Sequence, residues 1–190
     1  MLTATLAGLT LAAVAEAASF PITNYVPRAN EETGFTATAR PTVYTTVSAW
    51  GKWVGKSAAA RESGEGFVTA ASEHTGYTAN TSAGAGTAWV VELGSAAQAT
   101  KEVAAEYSVL AAPGGGWKLT KKYSLSALPG SRAWALAGQG DLAANVIFAE
   151  GRCVLLVGDE RSGAGALSEV ESPIRAGAEA IYKRTHGACP

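Results

Sequence analysis

The sequence predicts an α+β fold: a mostly antiparallel sheet with helices packed on one face, in two halves that look alike. Three observations carry this. Short apolar runs of strand length recur between Gly- and Pro-rich punctuation, as at 67–73, 88–93 and 152–157. Two of the later runs flank a tight Glu150-Gly151 turn, which demands antiparallel neighbours. Amphipathic helical stretches close each set of strands instead of alternating with every strand, and a sheet with helices laid on it is the natural layer solution. The predicted order is α-β-β-α, then β-β-β-β-α.

The chain opens with an apolar run, Leu2 to Ala18, whose one charge is Glu16 and which ends in the small-x-small sequence Ala15-Glu16-Ala17. That is the form of a signal-peptide core and cleavage site, so residues 1–19 are expected to be a signal peptide or an N-terminal membrane anchor. No Lys or Arg precedes the run, which leaves a start further upstream or a span marginally shorter than the ~20 residues a membrane helix needs. An Ala-rich helix of a cytosolic protein is the less favoured alternative. Residues 20–40, with Pro21, Asn24, Pro27, Asn30 and Gly34, show no sustained period and are expected to be a linker. The domain proper is expected over 41–187.

Val43, Val47, Trp50, Val54 and Ala58 recur at helical spacing, predicting a helix over 47–61, weakened by Gly51 and Gly55 and ended by Ser63-Gly64-Glu65-Gly66. Strands follow at 67–73 and 88–93, separated by a Thr/Ser/Gly-rich loop at 76–86. Ser95 with Gln98 three residues on has the capping-box form. It opens a helix whose Ala96, Ala99, Val103, Tyr107 and Leu110 share one face, with Gln98, Lys101, Glu102 and Glu106 turned away from it. Pro113 to Gly116 is a hinge between the halves. Strands are expected at 117–125, at 132–137 after the Leu128-Pro129-Gly130-Ser131 turn, and at 146–149 after a loop over 139–144. The next strand, 152–157, has four consecutive apolar residues, so it is expected at the sheet centre, covered on both sides. A polar turn at 159–165 precedes a last helix, with Ser172 as N-cap, Pro173 in its first position and a stop at Gly187. The run AWVVELGSAAQA faintly echoes CVLLVGDERSGAGA.

Composition narrows the function classes. Hydrophobic residues make up 47% and charged residues 16% of the 190, with a net charge of −1. That is too apolar and too neutral for disorder, and too little positive charge for a nucleic-acid binder. Lys118, Lys121 and Lys122 form one small basic group, with Lys121 expected on the opposite strand face from the other two. No P-loop and no Gly-x-Ser-x-Gly elbow is present, and nothing asks for a cofactor. Two Cys and two His (His74, His186) lack paired ligand spacing, so no metal site is expected. Cys153 and Cys189 suit a disulfide in an oxidising compartment, against one buried and one free thiol. Trp50 and Trp53, three apart on a helix, share a face: they either fill the core of an Ala-rich chain or line a pocket for an apolar ligand. An enzyme would have to use His74 with a loop aspartate, Asp141 or Asp159.

Three segments of the second half carry a resemblance: Leu128-Pro129-Gly130-Ser131-Arg132-Ala133-Trp134, then Asn145-Val146-Ile147-Phe148-Ala149-Glu150-Gly151, then Val154-Leu155-Leu156-Val157-Gly158. Together they resemble a pattern in uncharacterised secreted or envelope-anchored actinobacterial proteins, and the whole is distantly similar to extracellular sensor-type domains of mycobacterial envelope proteins. The resemblance covers about residues 45 to 186 and implies fold and location. It implies no site, because the matching positions are strand apolars, turn glycines and caps. The expected function is therefore an exported, envelope-associated, non-enzymatic domain that binds a ligand or partner, such as an apolar small molecule or envelope component. The alternatives are a hydrolase-like enzyme built on His74 and a purely structural envelope protein.

Overall fold

Val154, Leu155, Leu156 and Val157 are all buried, and they sit in the middle of an antiparallel sheet covered on both faces. The structure is a computed structural model describing residues 21–28, 30–37, 40–77, 84–112, 114–186 and 189, with the side chains of 36, 37 and 74–77 set aside. The expected leader, residues 1–19, lies outside the described residues. Among those described, no helix is long and apolar enough to cross a membrane.

Eight strands form the sheet: β1 (Phe35–Ala37), β2 (Thr42–Tyr44), β3 (Thr69–Tyr77), β4 (Gly84–Glu92), β5 (Lys118–Tyr123), β6 (Arg132–Gly138), β7 (Asp141–Glu150) and β8 (Cys153–Ser162). Their order is β1-β3-β4-β8-β7-β6-β5, and β2 pairs with β3 beside β1. Every pairing is antiparallel. Two meanders, β2-β3-β4 and β5-β6-β7-β8, meet where β4 pairs with β8. Among the described residues the α-helices are α1 (Val47–Val54), α2 (Lys56–Gly64), α3 (Ala96–Leu110) and α4 (Ser168–Thr185).

The α+β class and antiparallel sheet are as the sequence predicts, but the helices do not share one face. Trp89 and Val91 of β4, with Val154 and Leu156 of β8, pack under Trp50 of α1, Ala59 of α2 and Val103 of α3. The alternate residues Ala88, Val90, Leu155 and Val157 pack under Val170, Ile174, Ala178 and Ile181 of α4. Strand period two puts these sets on opposite faces, and both are apolar, so both need a cover.

The residues expected as a linker are part of the fold. Residues 22–25 form a 3₁₀ turn, and Tyr25, Val26 and Phe35 are buried. Arg184, in the last turn of α4, donates to the carbonyls of Asn24 and Val26, both at 2.9 Å, and pairs with Glu31. These bonds satisfy an irregular backbone that has no ladder of its own, which is why no sequence period marks it.

Other boundaries move as well: β3 and β4 run into the expected loop at 76–86, and β8 runs through the start of the expected turn at 159–165. The expected helix over 47–61 is two helices, broken at Gly55. The expected loop at 139–144 is a two-residue turn, Gln139-Gly140, with both residues at positive φ, and β7 begins at Asp141. The last helix starts at Ser168, so Pro173 lies inside it, and His186, left-handed at φ 56°, ends it one residue before the expected stop. The echo between halves is not a structural repeat. β4 ends at Glu92, before Gly94, whereas Gly158 lies within β8, which runs on to Ser162.

Candidate functional site

An open cavity lies at the α1–α2 pair, and its geometry follows from a few residues. Thr46 caps α1, its Oγ1 accepting from the Ala49 N–H at 3.2 Å. Within α1, Trp50 and Trp53 stack with ring centroids 5.0 Å apart and an interplanar angle of 18°. Tyr44 of β2 and Trp89 of β4 pack on Trp50 at 5.2 and 6.1 Å, fixing α1 to the sheet. Gly55, at φ 98° and ψ 151°, then turns the chain, in a region that essentially only glycine enters. The turn folds α2 back onto α1 so closely that a Cβ at Gly51 would stand 3.0 Å from that of Ala59.

The seam between the two helices opens to solvent as a groove of about 590 Å³, within the usual ligand-pocket range of roughly 300–1,000 Å³. Small residues, Gly51, Ala59 and Ala60, leave the space, Val47 adds an apolar wall, and Ser48 and Ser63 bring hydroxyls. Lys52 and Lys56 complete the lining, and no acidic residue is in it. Both lysines are exposed, and neither is in an ion pair among the described residues.

Behind the groove lies a buried carboxylate cluster that hydropathy reasoning misses. The Trp50 indole Nε1 donates to Glu62 of α2. Glu102 and Glu106 of α3, expected on an outward face, are buried against α2, where both take the Arg61 guanidinium, Glu102 at 3.0 Å. Lys101 reaches Glu65 at 2.9 Å. Burial pushes the Glu62 carboxyl up to about 8, the Trp50 bond opposing and the charges of Glu102 and Glu106 adding to the rise. Burial likewise lifts Glu102 to about 7, against the pull of Arg61. The available signal was spacing: Ala58 and Glu62 are four apart on a helix, and both are buried.

The other candidates disperse. Trp50 is fully buried, and neither Trp50 nor Trp53 is in the groove lining; the structure brings them together as a core stack. His74 falls in β3 with Thr87 as its ladder partner, and its side chain lies outside the described residues. The two aspartates expected in loops are strand residues, Asp141 opening β7 and Asp159 inside β8. Asp159 is 3% exposed with no hydrogen bond to either carboxylate oxygen among the described residues, and burial, then the Glu32 charge, lift its pKa to about 9. A carboxyl that keeps its proton in neutral solution is a poor partner for a histidine base. Cys153 and Cys189 are joined in a disulfide with Cα atoms 5.7 Å apart. Lys121 bonds Glu171 of α4 at 2.9 Å, and Lys122 lies over the Tyr107 ring of α3, so the basic strand splits between the two faces.

No family model matches the chain, and no curated protein does. Among solved structures, the extracellular domain of PknH from Mycobacterium tuberculosis is similar in fold, with a TM-score of 0.51 at 9% identity over 80% of this chain and 86% of that one. The chain thus shares the overall α+β architecture of that extracellular domain.

Proposed function

We propose that the domain is an extracytoplasmic, non-enzymatic binding module, sensor-like in form, that takes an apolar ligand or envelope component. The observation that carries this reading is the solvent-open groove between α1 and α2. Ligand sites combine an apolar wall with a few placed polar groups, and this groove has both. The Cys153–Cys189 disulfide supports a place outside the reducing cytosol, and the fold is shared with an extracellular domain. Trp50 and Trp53 serve the groove from behind, by holding α1 in place.

Native mass spectrometry of the protein recovered from its producing cells, secreted fraction included, tests this. The expected species is extracytoplasmic, two daltons lighter than the reduced form, and carries a non-covalent ligand that denaturation releases. A reduced, ligand-free protein confined to the cytosol overturns it.

A further inference from the structure

We infer that the α1–α2 groove takes a single-chain anionic phospholipid, its acyl chain lying along Gly51, Ala59 and Ala60 and its phosphate held by Lys52 and Lys56. The inference rests on the reading of the domain as a binding module and adds the ligand class.

The argument is one of charge and shape together. Gly51, Ala59, Ala60 and Val47 give the groove a small apolar lining against which a hydrocarbon chain can lie. The groove's polar contribution is one-signed: two ammonium groups and two hydroxyls, with no carboxylate. Elsewhere in this region cations are consumed locally, Arg61 by Glu102 and Glu106, and Lys101 by Glu65. Lys52 and Lys56 form no ion pair among the described residues and stand four residues apart, with the Gly55 turn between them. Two lysines act as adaptable point charges that can hold a phosphate between them. Ser48 and Ser63 can donate to further phosphate oxygens. A neutral or cationic amphiphile would fill the same seam but leave both ammonium groups without a counter-charge.

The experiment is calorimetric titration of the full chain with lysophosphatidate below its micelle concentration, beside a monoacylglycerol of equal chain length and inorganic phosphate alone. Lysophosphatidate is expected to bind at least about tenfold more tightly than the monoacylglycerol, equivalent to about 1.4 kcal/mol, with inorganic phosphate not binding measurably. The double variant Lys52→Glu/Lys56→Glu removes that preference. Ala60→Phe, at an exposed position, blocks the seam and weakens both lipids together. Unchanged circular dichroism and melting establish that each variant folds. Equal binding of both lipids, or none of lysophosphatidate, overturns the inference. So does phosphate binding as tightly as lysophosphatidate. If the species seen by native mass spectrometry survives Ala60→Phe, the groove assignment falls while the binding reading stands. If no species is bound to any form, both fall.

Discussion

The indole N–H of Trp50 donates to the carboxyl of Glu62 at the junction of α1, α2 and α3, where both side chains are fully buried. The bond crosses from one helix of the groove to the other, so it fixes their angle and couples it to protonation. Glu62 ionises near 4.5 when exposed but near 8 in the fold, burial being the chief cause. Across that window the native state holds a proton that the unfolded chain has released. Stability must therefore fall as pH rises from about 5 to about 8. Thermal melts of the wild type should show this decline. Glu62→Gln keeps the acceptor and removes the charge, so it should nearly match wild type at about pH 5 and exceed it increasingly towards pH 8. Trp50→Phe, which removes the donor, should cost about 1–3 kcal/mol in chemical denaturation. An unaltered pH profile in Glu62→Gln would mean that the buried carboxyl is ionised throughout.

The disulfide ties Cys189, past the end of α4, to Cys153, the first residue of β8. Cys153 is fully buried, and the bridge spans a sequence separation of 36. Closing a loop of that length stabilises by about 3–4 kcal/mol through the entropy of the unfolded chain. Cys189→Ser should lose that amount in denaturant titration. Reductant should destabilise the wild type equally and leave the variant unchanged. A variant as stable as wild type would show that the tail adds nothing to the fold.

Gly55 is the pivot of the groove. Its φ of 98° and ψ of 151° place it where a Cβ is strained even though nothing stands within 4 Å. Gly55→Ala should therefore cost about 1–3 kcal/mol and widen or close the seam. Gly64→Ala is the control: it ends the same helix at negative φ with open space around it, so it should gain about 0.4–1 kcal/mol. Equal effects from both substitutions, read by denaturant midpoint, would rule out a special role for the Gly55 conformation.

Much of this architecture was legible. The run Val154 to Val157 announced a central strand, and Ser95 with Gln98 a helix start, where the Ser95 Oγ indeed accepts from the Gln98 N–H. The second helical layer was not foreseen, although Trp89/Val91 and Ala88/Val90 are apolar pairs on opposite faces of one strand and both faces need a cover. What stayed hidden depends on contacts far apart in sequence. The segment about Asn24 and Val26 is held by Arg184, some 160 residues on, which bonds both carbonyls. Glu102 and Glu106 read as solvated because hydropathy takes no account of α2 and Arg61 lying over them. The groove itself was invisible, since small residues announce neither a surface nor a void until a turn such as Gly55 brings two helices together.

Asp159 offers the sharpest test of the buried acids. It lies within β8 beside Glu32, its oxygens without hydrogen-bond partners among the described residues, and it ionises near 9 instead of 3.8 because burial disfavours the charge. The folded protein thus keeps this proton over a range in which the unfolded chain gives it up, and the stability lost grows with pH up to about 9. Asp159→Asn is nearly the same size and cannot ionise. Its advantage over wild type in thermal melts should widen steadily from about pH 5, then level off above about pH 9. Asp159→Ala would leave a void and lose packing at every pH, so the amide separates charge from volume. If Asp159→Asn instead destabilises the protein across the whole range, the carboxylate is charged in the fold and held by a cation. The pairing of His74 with an ionised aspartate would then return as a reading of the sheet, and the non-enzymatic proposal would have to answer it.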